Sequence, residues 1–172
     1  YALPGMVLAV GVLLPMTLVD RSLAGFLSDL VGEPVGLVLT GSVFALVFVY
    51  VARFTTVAYN STQTGMAQLH PHLDAVARTL GSGPSRLLRQ IHMPLLRPAV
   101  LSGLLLVFID VVKELPATLI LRPFNFETLA TRVYRLASDE RLAEASTAAL
   151  IIVALGLLPT IWLLILEQRR SN

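Results

Sequence analysis

Asp110, Lys113 and Glu114 stand close together inside an otherwise apolar run, and they are the residues of this chain best placed to do chemistry. A charge at mid-bilayer costs about 2.5–3.5 kcal/mol on insertion scales, so such groups must be paired or wetted. On a helix Asp110 and Lys113 are three apart and can face each other, while Glu114 follows four from Asp110. Two readings stay open: a carboxylate bordering a substrate path near the outer side, or a structural ion pair packed between helices close to the interface. Pro116 removes a backbone donor, so the helix kinks or ends there. His70, His72 and His92 have no acidic cluster beside them, which predicts solvated loop histidines and no metal site. The absence of cysteine excludes a disulfide, a thiolate nucleophile and a cysteine metal site. No phosphate-cradling GxxxxGK loop, HExxH or GxSxG occurs.

The elements that would carry these residues are dictated by composition. Of 172 residues 55% are hydrophobic and only 14% charged, and mean hydropathy is +0.76. That describes an integral membrane protein. The net charge of +2 rests on dispersed arginines with no aromatic-interleaved patch, so nucleic acid is not an expected partner. A spanning helix needs roughly 20 mostly apolar residues. Four stretches qualify, at about 2–19, 35–58, 99–121 and 147–166. A short loop from Asp20 to Pro34 sets Arg21 against Asp20, Asp29 and Glu33, and a longer one runs from Arg122 to Ser146. Uncompensated arginine marks the cytoplasm. Arg53, Arg78, Arg86, Arg89 and Arg97 face Asp74 alone, and Arg169 and Arg170 close the tail, which places both termini inside. Small residues at Gly5 and Ala9, or Ala145 and Ala149, permit close helix approach.

Between the second and third spans lies a polar, arginine-bearing segment, about 66–97. Leu73, Val76, Ala77 and Leu80 form an apolar stripe, with Pro71 in the first helical turn and Gly81 supplying a left-handed end. Ser82 and Gly83 turn the chain, Pro84 starts a second helix with Leu87, Leu88 and Ile91 on its apolar side, and Pro94 is expected to stop it. Helices this short are marginal in water, so their apolar faces need the membrane domain or a partner groove. In the 122–146 loop, Phe126, Leu129, Val133 and Leu136 recur at helical spacing while Arg132 and Arg135 point elsewhere, predicting an amphipathic helix. It would either receive a protein through Arg122, Arg132, Arg135, Asp139 and Glu140, or lie on the bilayer or bundle.

The 66–97 segment resembles the cytoplasmic coupling loop, the EAA loop, of ABC importer permeases. That signature is Glu-Ala-Ala, three residues, Gly, nine residues, Ile, one residue, Leu-Pro. Ala77, Gly81, Ile91 and Pro94 match at the same spacing, while Ala75, Val76 and Met93 stand where Glu, Ala and Leu belong. Asp74 lies one position before the expected carboxylate, a shift that turns a side chain by about 100°. Val112-Lys113-Glu114-Leu115-Pro116-Ala117-Thr118, Leu121-Arg122-Pro123, Glu127-Thr128-Leu129-Ala130-Thr131 and Tyr1-Ala2-Leu3-Pro4-Gly5 resemble the ferric-iron branch of these permeases.

This resemblance implies an all-α polytopic transmembrane helix bundle of the ABC importer permease (MetI-like) fold, incomplete, comparable to the last four helices of one permease half. It implies ATPase coupling through Asp74, Ala77, Gly81, Ile91 and Pro94, while Asp110, Lys113 and Glu114 stay candidates for the translocation pathway on the first of the two readings above. It also implies that the chain itself binds no cofactor and is no enzyme, with which the missing phosphate-loop and hydrolase motifs are consistent. The implied partners are a cytoplasmic ABC ATPase dimer carrying ATP and Mg, an extracytoplasmic solute-binding protein, a second permease half and the lipid of a bacterial-type inner membrane. Ferric iron is the implied substrate; thiamine, polyamine, sulfate or another anion is the alternative. A secondary transporter, relaying protons through Asp110 or Glu114, and a membrane scaffold are readings of other classes.

Overall fold

The computed structural model describes residues 3–70 and 72–171; Tyr1, Ala2, Pro71 and the side chains of Arg169 and Arg170, used above, lie outside the described residues. Among the described residues the chain is helical, without strands. Four helices are long and apolar enough to cross a membrane: α1 (Gly5–Val31), α2 (Val43–Ala67), the continuous helix Pro84–Val112, and α8 (Leu142–Ser171), whose qualifying part is Leu142–Ile161. Their outer surfaces are apolar, with Leu14, Leu18, Phe26, Leu101, Leu104 and Leu158 all exposed, as side chains solvated by hydrocarbon must be.

The helices extend past the spans expected from hydropathy, and each difference has a cause. Asp20 does not open a loop. It is fully buried inside α1, and its carboxylate accepts the backbone N–H groups of Val38, Leu39 and Thr40 at 2.6–3.0 Å. A carboxylate satisfied by three successive amides can sit within a helix, so α1 runs on to Val31 and ends at Gly32 in the left-handed region, φ 78°. Residues 35–42, expected to begin the second span, form the strap that Asp20 holds. At its other end α2 does not stop at 58 but carries its Thr, Asn and Gln residues to Ala67. The third span divides. Its helix ends at Val112 and a separate α6 (Pro116–Leu121) follows, as the missing donor of Pro116 requires.

Three packing seams hold the bundle. Ala9 of α1, Leu46 and Val49 of α2, and Ala117 and Leu121 of α6 make a small buried core. Along α2 and α5 (Met93–Val112) small residues let the backbones approach: a Cβ on Gly103 would come within 2.9 Å of Ser61 Cβ, and one on Gly65 would overlap Ala99. Ser61 Oγ donates to the carbonyl of Ala99 at 2.7 Å across this seam. The third seam packs α7 (Leu129–Ser138) on α8, with Leu136, Ala145 and Ala148 buried. Gly5 and Ala9 are buried in α1, and in α8 Ala145 and Ala148 are buried while Ala149 is partly exposed.

Candidate functional site

Two places in the fold gather the ionisable residues. At the break between α5 and α6, the group Asp110, Lys113 and Glu114 separates into two pairs. Lys113 Nζ lies 2.8 Å from Asp110 Oδ1, the lysine side chain exposed and the aspartate only 15% so. Glu114 turns the other way and meets Arg53 of α2, Nη1 to Oε1 3.2 Å, with side chains 16% and 7% exposed respectively. Arg53 was grouped above with loop arginines; it stands instead inside α2, about 15 Å along from Val43. Removing it from the loop count leaves Arg78, Arg86, Arg89 and Arg97 against Asp74, so the charge bias of that segment persists.

Glu114 also organises the break itself. Its Oε1 accepts the N–H of Ala117 in the first turn of α6 at 3.2 Å, and its carbonyl accepts the Thr118 hydroxyl at 2.9 Å. The Tyr50 and Thr118 hydroxyls are hydrogen-bonded to each other, adding a second polar tie from α2. Gly5 closes the third side, where any Cβ would overlap Arg53 Nη1 and Glu114 Oε1. The Glu114 carboxylate is thus bound to a cation, capping a helix and covered by α1. It is a closure between three helices, while Asp110 carries the more accessible charge.

The second place is the elbow. α3 (His72–Thr79) and α4 (Pro84–Leu87) meet at Gly81, φ 79°. Gly81 N–H donates to the Arg78 carbonyl and Ser82 N–H to the Ala77 carbonyl at 3.0 Å, closing the left-handed helix end that the glycine signals. Ala77 and Leu87 are buried, while Val76, Leu80 and Leu88 project outward. Pro94 does not stop the second helix. A π-helical turn at Leu88–His92 leads straight into α5, and the wider turn accommodates a proline whose ring would strike the carbonyl of Gln90 in a regular α-helix. The helix is therefore continuous from the elbow to the break at Lys113, a helical rod about 43 Å long. Ile91 lies half-buried in the π turn.

Asp74 is not directed wholly outward. Its Oδ1 lies 2.9 Å from His92 Nε2, a bond that ties α3 to the π turn across the elbow. His92, expected among solvated histidines, is only 13% exposed. Its partner was undetectable from local spacing because the two residues meet only when the chain folds back at Gly81. His70 and His72 stack on each other in the preceding turn, and no cluster able to hold a metal occurs among the described residues.

In the connection after α6, the amphipathic helix is α7, with Arg132 and Arg135 exposed and its apolar side on α8. Phe126 precedes the helix. Thr128 and Thr131 form a reciprocal capping box, which fixes the helix start. Arg135 holds Glu127 through Nε and Nη2 at 2.6 and 3.2 Å, and that hydrogen bonding keeps the Glu127 carboxyl below its ordinary value.

Comparison with known proteins follows the same lines. A family model described as binding-protein-dependent transport system inner membrane component matches residues 1–172. A Fe(3+)-transport system permease protein of Haemophilus influenzae is 29% identical over 67% of the chain and 23% of its own length. A 2-aminoethylphosphonate transport system permease protein of Salmonella typhimurium is 31% identical over 64% of the chain and 41% of its own length. A ferric transport system permease protein of Actinobacillus pleuropneumoniae is 26% identical over 58% of the chain and 14% of its own length. The chain thus spans less than half the length of these curated relatives. No solved structure matches it.

Proposed function

The chain belongs to the binding-protein-dependent transport system inner membrane component family, and from that premise we propose that it is the membrane-spanning, ATPase-coupled part of an importer for ferric iron. The observation that carries the coupling is the elbow. Two short helices joined by a left-handed glycine present Val76, Leu80 and Leu88 exposed, with no cover from the rest of the described residues. Such a face suits a groove on an ATPase that binds and hydrolyses ATP with Mg. The second arm continues unbroken into α5, so displacement of the elbow moves the rod and, at its far end, the Arg53–Glu114 closure. The arginine bias of residues 78–97 supports a cytoplasmic elbow, hence cytoplasmic termini.

The partners on this reading are an ABC ATPase dimer, a second permease half and an extracytoplasmic solute-binding protein. Asp74, Ala77, Gly81, Ile91 and Pro94 act in coupling. Asp74 and Ala77 brace the elbow from within, through His92 and through burial, and Pro94 lies in the rod. Secondary transport is less well supported, since a proton relay needs an exchangeable carboxylate and both Asp110 and Glu114 are held by cations. Ferric iron rests on the ferric-transport relatives; the Salmonella relative favours a second substrate, 2-aminoethylphosphonate. Uptake of radiolabelled ferric iron by proteoliposomes holding the full transporter and its binding protein tests the choice. ATP-dependent iron accumulation is the expected result, and accumulation of the phosphonate in its place overturns it.

A further inference from the structure

Helices α2 and α5 leave a groove of about 540 Å3 along one side of their seam, lined by Asn60, Ser61 and Thr64 of α2, Gln68 just past its end, and Ser102 and Leu106 of α5. Val49, Arg53, Val57, Asn60, Thr64 and Gln68 follow one another at three- or four-residue steps, so they share one face of α2. On one side of Arg53 that face is covered by α1, with Val49 packed near Ala9 in the core. On the other side, among the described residues, it is open. From Arg53 to Gln68 the open stripe rises about 22 Å. Between Phe54 and Ala67 the helix carries no charge but eight hydroxyl or amide side chains. Polar groups on a membrane-crossing helix face protein interior or water, because lipid satisfies none of them. Part of the demand is met locally, by Thr62 and Thr64 donating to carbonyls four residues back and Ser61 donating to Ala99. The primary amides of Asn60 and Gln68, each with two donors and an acceptor, add hydrogen-bonding capacity along the groove.

We infer that this groove is the inner limb of the substrate path, a neutral hydrogen-bonding wall that starts beside the elbow and is closed at its far end by Arg53 and Glu114 against Gly5. The inference rests on the importer reading and names the surface the solute meets. Amides and hydroxyls exchange hydrogen bonds with a solute's water shell, and with no carboxylate among the lining residues the groove offers a ferric ion none of the anionic oxygens that would compete for it with its own ligands. The groove therefore takes a small hydrophilic solute in its own shell; a ferric ion would pass already liganded.

The chain contains no cysteine, so one introduced thiol is the only one in it. Asn60→Cys, Thr64→Cys and Ser102→Cys place thiols in the groove, and Tyr59→Cys places one on the opposite, exposed face of α2 at the same depth. The full transporter in membrane vesicles is treated with a membrane-impermeant methanethiosulfonate from the ATPase side, and each variant's uptake is compared with its own rate before treatment. The groove thiols are expected to be labelled and uptake lost, with recovery on reduction, while Tyr59→Cys stays unlabelled. Groove thiols no more reactive than Tyr59→Cys in every nucleotide state, or labelled without loss of uptake, overturn the inference while leaving the importer reading standing. A chain that imports no solute and binds no ATPase overturns both.

Discussion

The break at Glu114 and the elbow at Gly81 each join a carboxylate to a cationic or basic group, yet they use the pair differently. Arg53 and Glu114 come from positions 61 apart and are nearly sealed from solvent. Asp74 and His92 come from neighbouring short helices, and Asp74 remains 43% exposed. In the sealed pair each charge depends on the other, because neither can be solvated by lipid or side-chain neighbours alone. At the elbow water reaches the half-exposed Asp74 carboxylate and can replace His92 there, although His92 itself is covered. The bundle is thus sealed where three helices meet and open to water on one side of the elbow, with one continuous helix connecting the two.

Substitutions can widen or collapse that contrast. The largest effect is expected from Arg53→Met, which leaves Glu114 buried without this counter-charge; breaking such a pair costs about 3–5 kcal/mol. The thermal midpoint of the purified transporter should fall sharply, and the double variant Arg53→Met, Glu114→Met should fall less. Equal losses in both would show that the two charges are not coupled. Next is Gly5→Ala, whose methyl group overlaps both partners of the pair. Overpacking of this kind costs about 1–3 kcal/mol and should appear as a lowered midpoint without loss of membrane insertion. At the elbow, Asp74→Asn removes a partly exposed charge, worth about 0–1 kcal/mol. A midpoint change as large as that of Arg53→Met would abolish the distinction between the two regions.

The smallest effect belongs to Glu127 and Arg135 on the far connection. Because hydrogen bonding to Arg135 lowers the Glu127 pKa on folding, its contribution is present in full above the ordinary value of 4.5. It is lost as pH falls through the lower folded value. Protection factors at the start of α7, the intrinsic exchange rate at each pH divided by the observed rate, should therefore fall on acidification, and Glu127→Gln should remove that dependence.

The sequence carried the parts of this arrangement that local rules govern. The left-handed end at Gly81, the helix start at Pro84, the charge of Asp110 facing Lys113 and the amphipathic run at Leu129–Leu136 all depend on residues a few positions apart, where helical spacing decides. Arg53 meeting Glu114, Asp20 holding the strap at Val38–Thr40, and His92 meeting Asp74 depend on chain reversal, which periodicity does not encode. Hydropathy also placed helix ends too early wherever a polar residue could be satisfied inside the helix, as at Asp20 and along Asn60–Thr64. Pro94 misled for a related reason: a π turn one step earlier makes room for it. The neutral groove had no motif at all. Its only signal was a polar stripe at three- and four-residue steps below Arg53, legible once Arg53 is placed inside a helix.

The central claim is that the elbow couples an ATPase to the rod. Gly81→Asp tests it most directly, since Asp tolerates the left-handed region better than most residues yet adds a charge at the apex where a partner would grip. In the full transporter with its binding protein, substrate-stimulated ATP hydrolysis should fall while the chain still inserts in the membrane. Hydrolysis and uptake unchanged from the parent protein would contradict the account.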